Sequence, residues 1–228
     1  MPRRYQTTSD LPGEIALFPL AGAILLPRAS LPLNIFEPRY LQLFDDVMRT
    51  TRLVGIIQPV GEGGPTGSPQ ERSASLREIG CAGRVTTYQE HEDGRLTVVL
   101  TGVARFRAGE EARVTSPYRV VSCEFTTFAD DLVAGRGEDD VDRERLLDTL
   151  KRYLAQRNLK ADWSAITRTG SEQLVNWLSV ASPFGAGEKQ ALLEAATLKD
   201  RAEALITLAE MELAAAGGTG DAGGGRLQ

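Results

Sequence analysis

The spacing of apolar residues changes once along this chain, near Phe128, and that change limits the possible folds more than any other feature. Before it, apolar runs are short, rich in Val, Ile and Leu, and bounded by Gly and Pro. After it, they recur at three- and four-residue intervals. Segregated strand and helix patterns of this kind predict an α+β protein rather than an alternating β/α one.

Residues 15–20, 31–36, 53–58, 79–89, 96–101, 103–107 and 118–125 carry the strand signals. Pro32 assigns the second of these to a sheet edge or a bulge. Asp93-Gly94 between the fourth and fifth is a hairpin dipeptide, so those two should pair antiparallel. Gly102 is expected to break the run that follows. One helix interrupts the strands: Pro38 fits a first helical position, and Tyr40, Leu43, Phe44, Val47 and Met48 fall on one face with Asp45 and Asp46 opposite. These elements predict a small closed or half-closed barrel.

The second part opens with an acidic, Gly-containing stretch, 129–142, expected to be a linker. A helix over 141–157 follows, with Leu146, Leu147, Leu150, Tyr153 and Leu154 on its inner face. Lys160 to Trp163 looks like an interhelix loop. Thr169 and Glu172 have capping-box spacing ahead of Leu174, Val175, Trp177 and Leu178, with Pro183 beyond, and Thr197 with Asp200 repeats the device before the last helix. The predicted organisation is an extension (1–13), a barrel (14–128), the linker (129–142), a helical bundle (143–215) and a disordered Gly-rich tail (216–228).

Charge narrows the function. The chain has 26 basic and 31 acidic residues, net −5, and residues 1–128 are balanced at 14 of each, so the deficit lies in residues 129–228. Such a field disfavours nucleic acid and anionic membranes as partners. All 14 basic residues of 1–128 are Arg, whose planar fork suits carboxylate, phosphate and carbonyl groups. The most apolar stretch, 15–27, contains Pro19, Gly22 and Pro27 and is too short to span a membrane.

The residues for chemistry are sparse. Cys81, Cys123 and His91 are the only Cys and His residues, too few for a four-ligand zinc site of that type, and no metal or cofactor is expected. The two cysteines form no disulfide framework, which fits a reducing cytoplasm. They lie in apolar strand contexts, where inert buried thiols are the default. His91 sits in a polar hairpin tip, and no Gly-x-Ser-x-Gly elbow occurs, so a Ser-His-Asp triad is not supported. Gly218, Gly220 and Gly223 match Gly-x-Gly-x-x-Gly but lack a preceding strand and a following helix, and no glycine-rich loop leads into Gly-Lys-Ser/Thr. No catalytic residue is assigned. Most aromatics, Trp177 included, occupy periodic positions that imply packing, whereas Trp163 is the exception.

The motifs taken in order resemble the Lon protease N-terminal domain. Leu17-Phe18-Pro19-Leu20, Ala23-Ile24-Leu25-Leu26-Pro27 and the run from Leu31-Pro32-Leu33-Asn34-Ile35-Phe36 to Glu37-Pro38-Arg39-Tyr40 resemble its opening. Glu78-Ile79-Gly80-Cys81-Ala82-Gly83 and Leu100-Thr101-Gly102-Val103-Ala104-Arg105-Phe106-Arg107 continue it. Lys189-Gln190-Ala191-Leu192-Leu193-Glu194 with Leu198-Lys199-Asp200-Arg201 resembles its helical end.

That resemblance, over about residues 14 to 213, implies a PUA-like β-barrel with one inserted helix followed by a C-terminal helical bundle. It also implies a non-enzymatic module that binds polypeptide segments or serves as an adaptor to a partner protein. The ATPase P-loop and Ser-Lys dyad of the full-length protease are not found, so the chain resembles a freestanding N-terminal domain of the family. The alternative is an RNA-binding PUA-like module; hydrolysis ranks last. The groove between barrel and helices is the expected site, with Arg39, Arg105 and Arg107 as carboxylate or carbonyl partners. Phe36 and Tyr40 would add apolar contact there, although the residues alone favour core burial for both, and Trp163 is the remaining candidate.

Overall fold

The structure, a computed structural model, describes residues 5–61 and 74–218. Six strands, β1 (Glu14–Pro19), β2 (Ser30–Ile35), β3 (Leu53–Ile57), β4 (Ile79–Glu90), β5 (Leu96–Glu111) and β6 (Val120–Glu124), pair in the order β2-β5-β4-β3-β1-β6. The far end of β5 also pairs with β6, so the ladder β5-β4-β3-β1-β6 returns to its start and β2 lies outside that circuit. Only β1 with β3 is parallel. The β4–β5 hairpin turns at Asp93-Gly94, where Gly94 takes the positive φ (+80°) that its dipeptide predicts.

Period-two alternation sorts side chains into two cores. Ile15 and Leu17 of β1, Leu53 and Ile57 of β3, Ala82 of β4, Phe106 of β5 and Val121 of β6 meet in one cluster, built from all five circuit strands. The alternate residues Phe18, Val54, Ile56 and Cys81 belong to a second cluster on the other face. β5 serves both, and the reason is local. Leu96, Val98 and Leu100 enter the second cluster whereas Ala104 and Phe106 enter the first, although all are even-numbered. A register shift opposite Ala82/Gly83 puts one extra residue in β5 and turns its later side chains to the opposite face. Gly102 therefore does not break the strand as expected; it lies within a continuous β5, where a Cβ would run into the carbonyl of Leu26. Gly80 is similarly confined, with the Phe106 ring 2.7 Å from where a Cβ would be.

Helix α1 (Pro38–Arg49) has Pro at its start and buries Tyr40, Leu43, Phe44 and Val47, the predicted face. Phe18 of β1 packs on it, ring centroids 4.3 Å from Tyr40 and 6.2 Å from Phe44. After the strands come α2 (Arg143–Gln156), α3 (Trp163–Arg168), α4 (Ser171–Ala181), α5 (Ala186–Glu194) and α6 (Leu198–Gly218). Leu146 and Leu150 of α2, Leu174 and Leu178 of α4, Leu192 of α5 and Leu205 of α6 join the second cluster, which runs unbroken from the sheet through Ile24, Leu25 and Leu26 into the helices.

The stretch expected as a linker is packed. It forms 3-10 turns at Thr126–Leu132 and Glu138–Asp140, and Asp131 in the first is only 8% exposed. The capping boxes divide. Thr197 accepts from the Asp200 N–H at 3.1 Å and its own N–H donates to the Asp200 carboxylate, as expected. Thr169 and Glu172 do not cap α4. The Glu138 carboxylate accepts the Glu172 N–H at 2.8 Å instead, which frees the Glu172 side chain for an ion pair elsewhere. Helix α6 continues to Gly218, into the segment expected as tail; residues 219–228 and 62–73 lie outside the described residues.

Candidate functional site

Elements α2, α3, α4 and α6 leave an apolar cavity of about 480 Å³ between them. Leu150 and Tyr153 of α2, Ile166 of α3, Leu178 of α4 and Ile206 of α6 line it, with Phe184 from the turn after α4. Its existence follows from α3, a helix of six residues whose N-terminus is held by Asp162: the carboxylate accepts N–H bonds from Ser164 (3.0 Å) and Ala165 (3.1 Å). These bonds hold the Asp162 carboxyl below the usual carboxylate range, the Ser164 hydroxyl contributing most. So short a helix covers the α2–α4 cleft incompletely. Leu159 and Trp177 stand at the opening, 55% and 53% exposed. Past Trp177 a second hollow, sharing Ala165, Ile166 and Trp177 with the first, leads to Ser30 at the start of β2. Large apolar side chains left in water at the mouth of an apolar cavity are the form a hydrophobic binding site takes.

Of the residues expected from the sequence, none lines this cavity; Trp163 follows Asp162, which does. It is the first residue of α3, not part of a loop, and the Lys151 ammonium lies 5.7 Å from its ring centroid. Trp177, expected to pack inside, is a residue the sequence reading missed. Its helical spacing places it between Leu174 and Leu178 on paper, but the true inner face is Leu174, Val175 and Leu178.

The other five are elsewhere. Phe36 is 60% exposed at the β2–α1 turn, contrary to expected burial, and Tyr40 is buried as expected. Arg39 pairs with Glu37 at 2.9 Å and stacks on Tyr40; both line a hollow with Tyr118 and Arg119. Arg107 pairs with Glu78 at 2.7 Å beside a cleft between sheet and helices that Phe128 and Glu194 also line. The six residues thus do not converge on one surface.

Arg105 does bind a carboxylate and carbonyls, but within the fold. It is 4% exposed, grips Asp131 with two 2.9 Å bonds, and donates to the carbonyls of Leu193 (3.1 Å) and Ala195 (2.6 Å) at the end of α5. Beside it Arg201 donates to the Leu192 carbonyl and to Asn176, whose amide donates to the Pro27 carbonyl. Burial, then the charge of Arg105, pushes Arg201 below the ordinary guanidinium range. Arg28 pairs with Glu172 and donates to the Asp131 carbonyl. This network fastens barrel to bundle.

Nucleophiles are weak here. Cys81 is fully buried and its thiol is pushed far up, mainly by desolvation; Cys123 is pushed up to about 12 for the same reason, with Glu14 adding to it. His91 is exposed at the hairpin, its Nε2 2.7 Å from the Thr97 hydroxyl. Among the described residues no cluster of His, Cys, Asp and Glu could hold a metal ion, and no helix is long and apolar enough to cross a membrane.

Comparison with known proteins agrees with this architecture. The chain is 25% identical to the Lon protease of Flavobacterium johnsoniae over 90% of its own length, which is 25% of that protein. The chain therefore spans about a quarter of the length of the curated relatives it matches. Its fold matches a Lon N-terminal domain protein from Xanthomonas campestris (TM-score 0.58, 23% identity, 85% of this chain and 97% of that one). It also matches the N-terminal domain of the Mycobacterium avium complex Lon protease (TM-score 0.62, 16% identity, 86% and 98%). The substrate-binding domain of ATP-dependent protease La (LON) matches residues 14–210, barrel and helices alike, and the chain belongs to that family.

Proposed function

We propose that this protein binds exposed apolar segments of other polypeptides in the cavity between α2, α3, α4 and α6, as a non-catalytic module of the reducing cytoplasm. The observation that carries the reading is the pairing of a half-open apolar hollow with Trp177 and Leu159 held in water at its mouth. An incoming apolar side chain leaves water there and covers both residues, each apolar Å2 contributing about 25 cal/mol before the ordering cost. Trp177, one of the two tryptophans of the chain, stands at the opening, so occupancy changes intrinsic fluorescence directly. Phe36, Arg39 and Arg107 lie on separate surfaces, for which an adaptor contact with a partner protein is the fitting role.

The test is anisotropy of a labelled, permanently unfolded polypeptide titrated with the protein and its Trp177→Ala variant. The expected result is micromolar or weaker binding that falls about tenfold or more in the variant, as for an aromatic anchor at the centre of an interface. Absence of binding by the unmodified protein, or equal binding by the variant, would overturn the assignment.

A further inference from the structure

The mouth of the cavity is charged in a way the composition of its unit does not suggest. Residues 129–228 hold 12 basic and 17 acidic side chains, yet carboxylates on the neighbouring helices are held in ion pairs. Asp162 in the lining spends one carboxylate oxygen, Oδ1, on the N–H groups that start α3. Glu210 is bound by Arg145 and Arg152, and Glu212 by Arg157 and the Tyr153 hydroxyl. Two cations remain. Lys160 lines the cavity, and Lys151 follows the lining residue Leu150 and lies against Trp163. Both are exposed, and among the described residues no carboxylate comes within ion-pair distance of either. A hydrophobic hollow with one ammonium group in its lining and a second on the adjoining helix, neither paired with a carboxylate, is complementary to an apolar chain segment flanked by carboxylates.

We propose that the cavity selects polypeptide segments in which an apolar anchor is flanked by acidic residues, and that Lys151 and Lys160 read that flank. The proposal rests on the cavity being the polypeptide site. The anchor supplies affinity by burial. The lysines supply preference, because an acidic flank meets opposite charge on them and a basic flank meets like charge. Both contacts are solvent-exposed, so together they amount to roughly a three- to tenfold preference, and salt screens it.

Three peptides sharing one Leu-Phe-Leu-Leu core, flanked by Asp-Glu, Gln-Gln or Lys-Lys, are titrated against the full chain by tryptophan fluorescence at low salt and at high salt. The expected order is acidic over neutral over basic, with the acidic peptide about three- to tenfold tighter than the neutral one and the gap closing at high salt. In the double variant Lys151→Glu/Lys160→Glu the order inverts, and in Lys151→Gln/Lys160→Gln it collapses. Equal affinity for all three peptides would refute the charge selection and leave the apolar site standing. No binding by any of them would remove both.

Discussion

Replacing Arg105 by Ala should separate the stability of the barrel from that of the helices. In the intact protein this side chain joins β5 to Asp131 and to two carbonyls at the end of α5, and its 4% exposure leaves no room for solvent to substitute. Removing it strands a buried carboxylate and two buried carbonyls and leaves Arg201 and Arg28 facing a changed field. Breaking one side of such a pair costs about 3–5 kcal/mol, against a total of about 5–15 kcal/mol for a typical domain. The variant folds, with its urea midpoint lowered by roughly 1–5 M at an m-value of about 1–3 kcal/mol per M. Both tryptophans lie in the helical part, so fluorescence follows that part alone while far-UV circular dichroism follows both. The two transitions should coincide in the parent and diverge in Arg105→Ala. A loss below about 1 kcal/mol, or transitions that still coincide, would refute the fastening role assigned to this arginine.

Two further outcomes follow from local geometry. Gly102→Ala pushes a methyl group into the Leu26 carbonyl and should cost about 3 kcal/mol, read as a lowered thermal midpoint or loss of soluble protein, whereas Gly13→Ala, with open space around it, should be silent. Asp162 has its folded-state pKa depressed, so its capping contribution is present at neutral pH and is lost as pH falls through that depressed value. Trp163 fluorescence in the Trp177→Phe background should show a transition below the usual carboxylate range that Asp162→Asn abolishes.

The strands, α1 and the Thr197 cap were legible because each is fixed by neighbours close in sequence: a period of two, a Pro at a helix start, a hydroxyl three residues before a carboxylate. The misread features depend on distant partners. Glu172 has the spacing of a cap residue, but Glu138 takes the cap from 34 positions away, and Glu172 turns to Arg28 instead. Gly102 looks like a terminator until the bulge in β5 and the passing Leu26 carbonyl are seen. Arg105 is expected from the sequence to meet the carboxylates or carbonyls of a bound polypeptide, whereas the structure buries it against such groups of its own chain, which only the tertiary fold reveals. Trp177 misled for a related reason, since helical spacing states which residues share a face but not how far the neighbouring helix extends to cover it.

The pairing circuit leaves β2 as the strand with an unoccupied side among the described residues, and Pro32 sits at its middle. A proline there offers no amide hydrogen to a newcomer and interrupts any ladder another molecule might try to extend. An extended chain that passes this edge therefore finds no main-chain zipper to join, and the sheet is kept from growing by strand addition into larger assemblies.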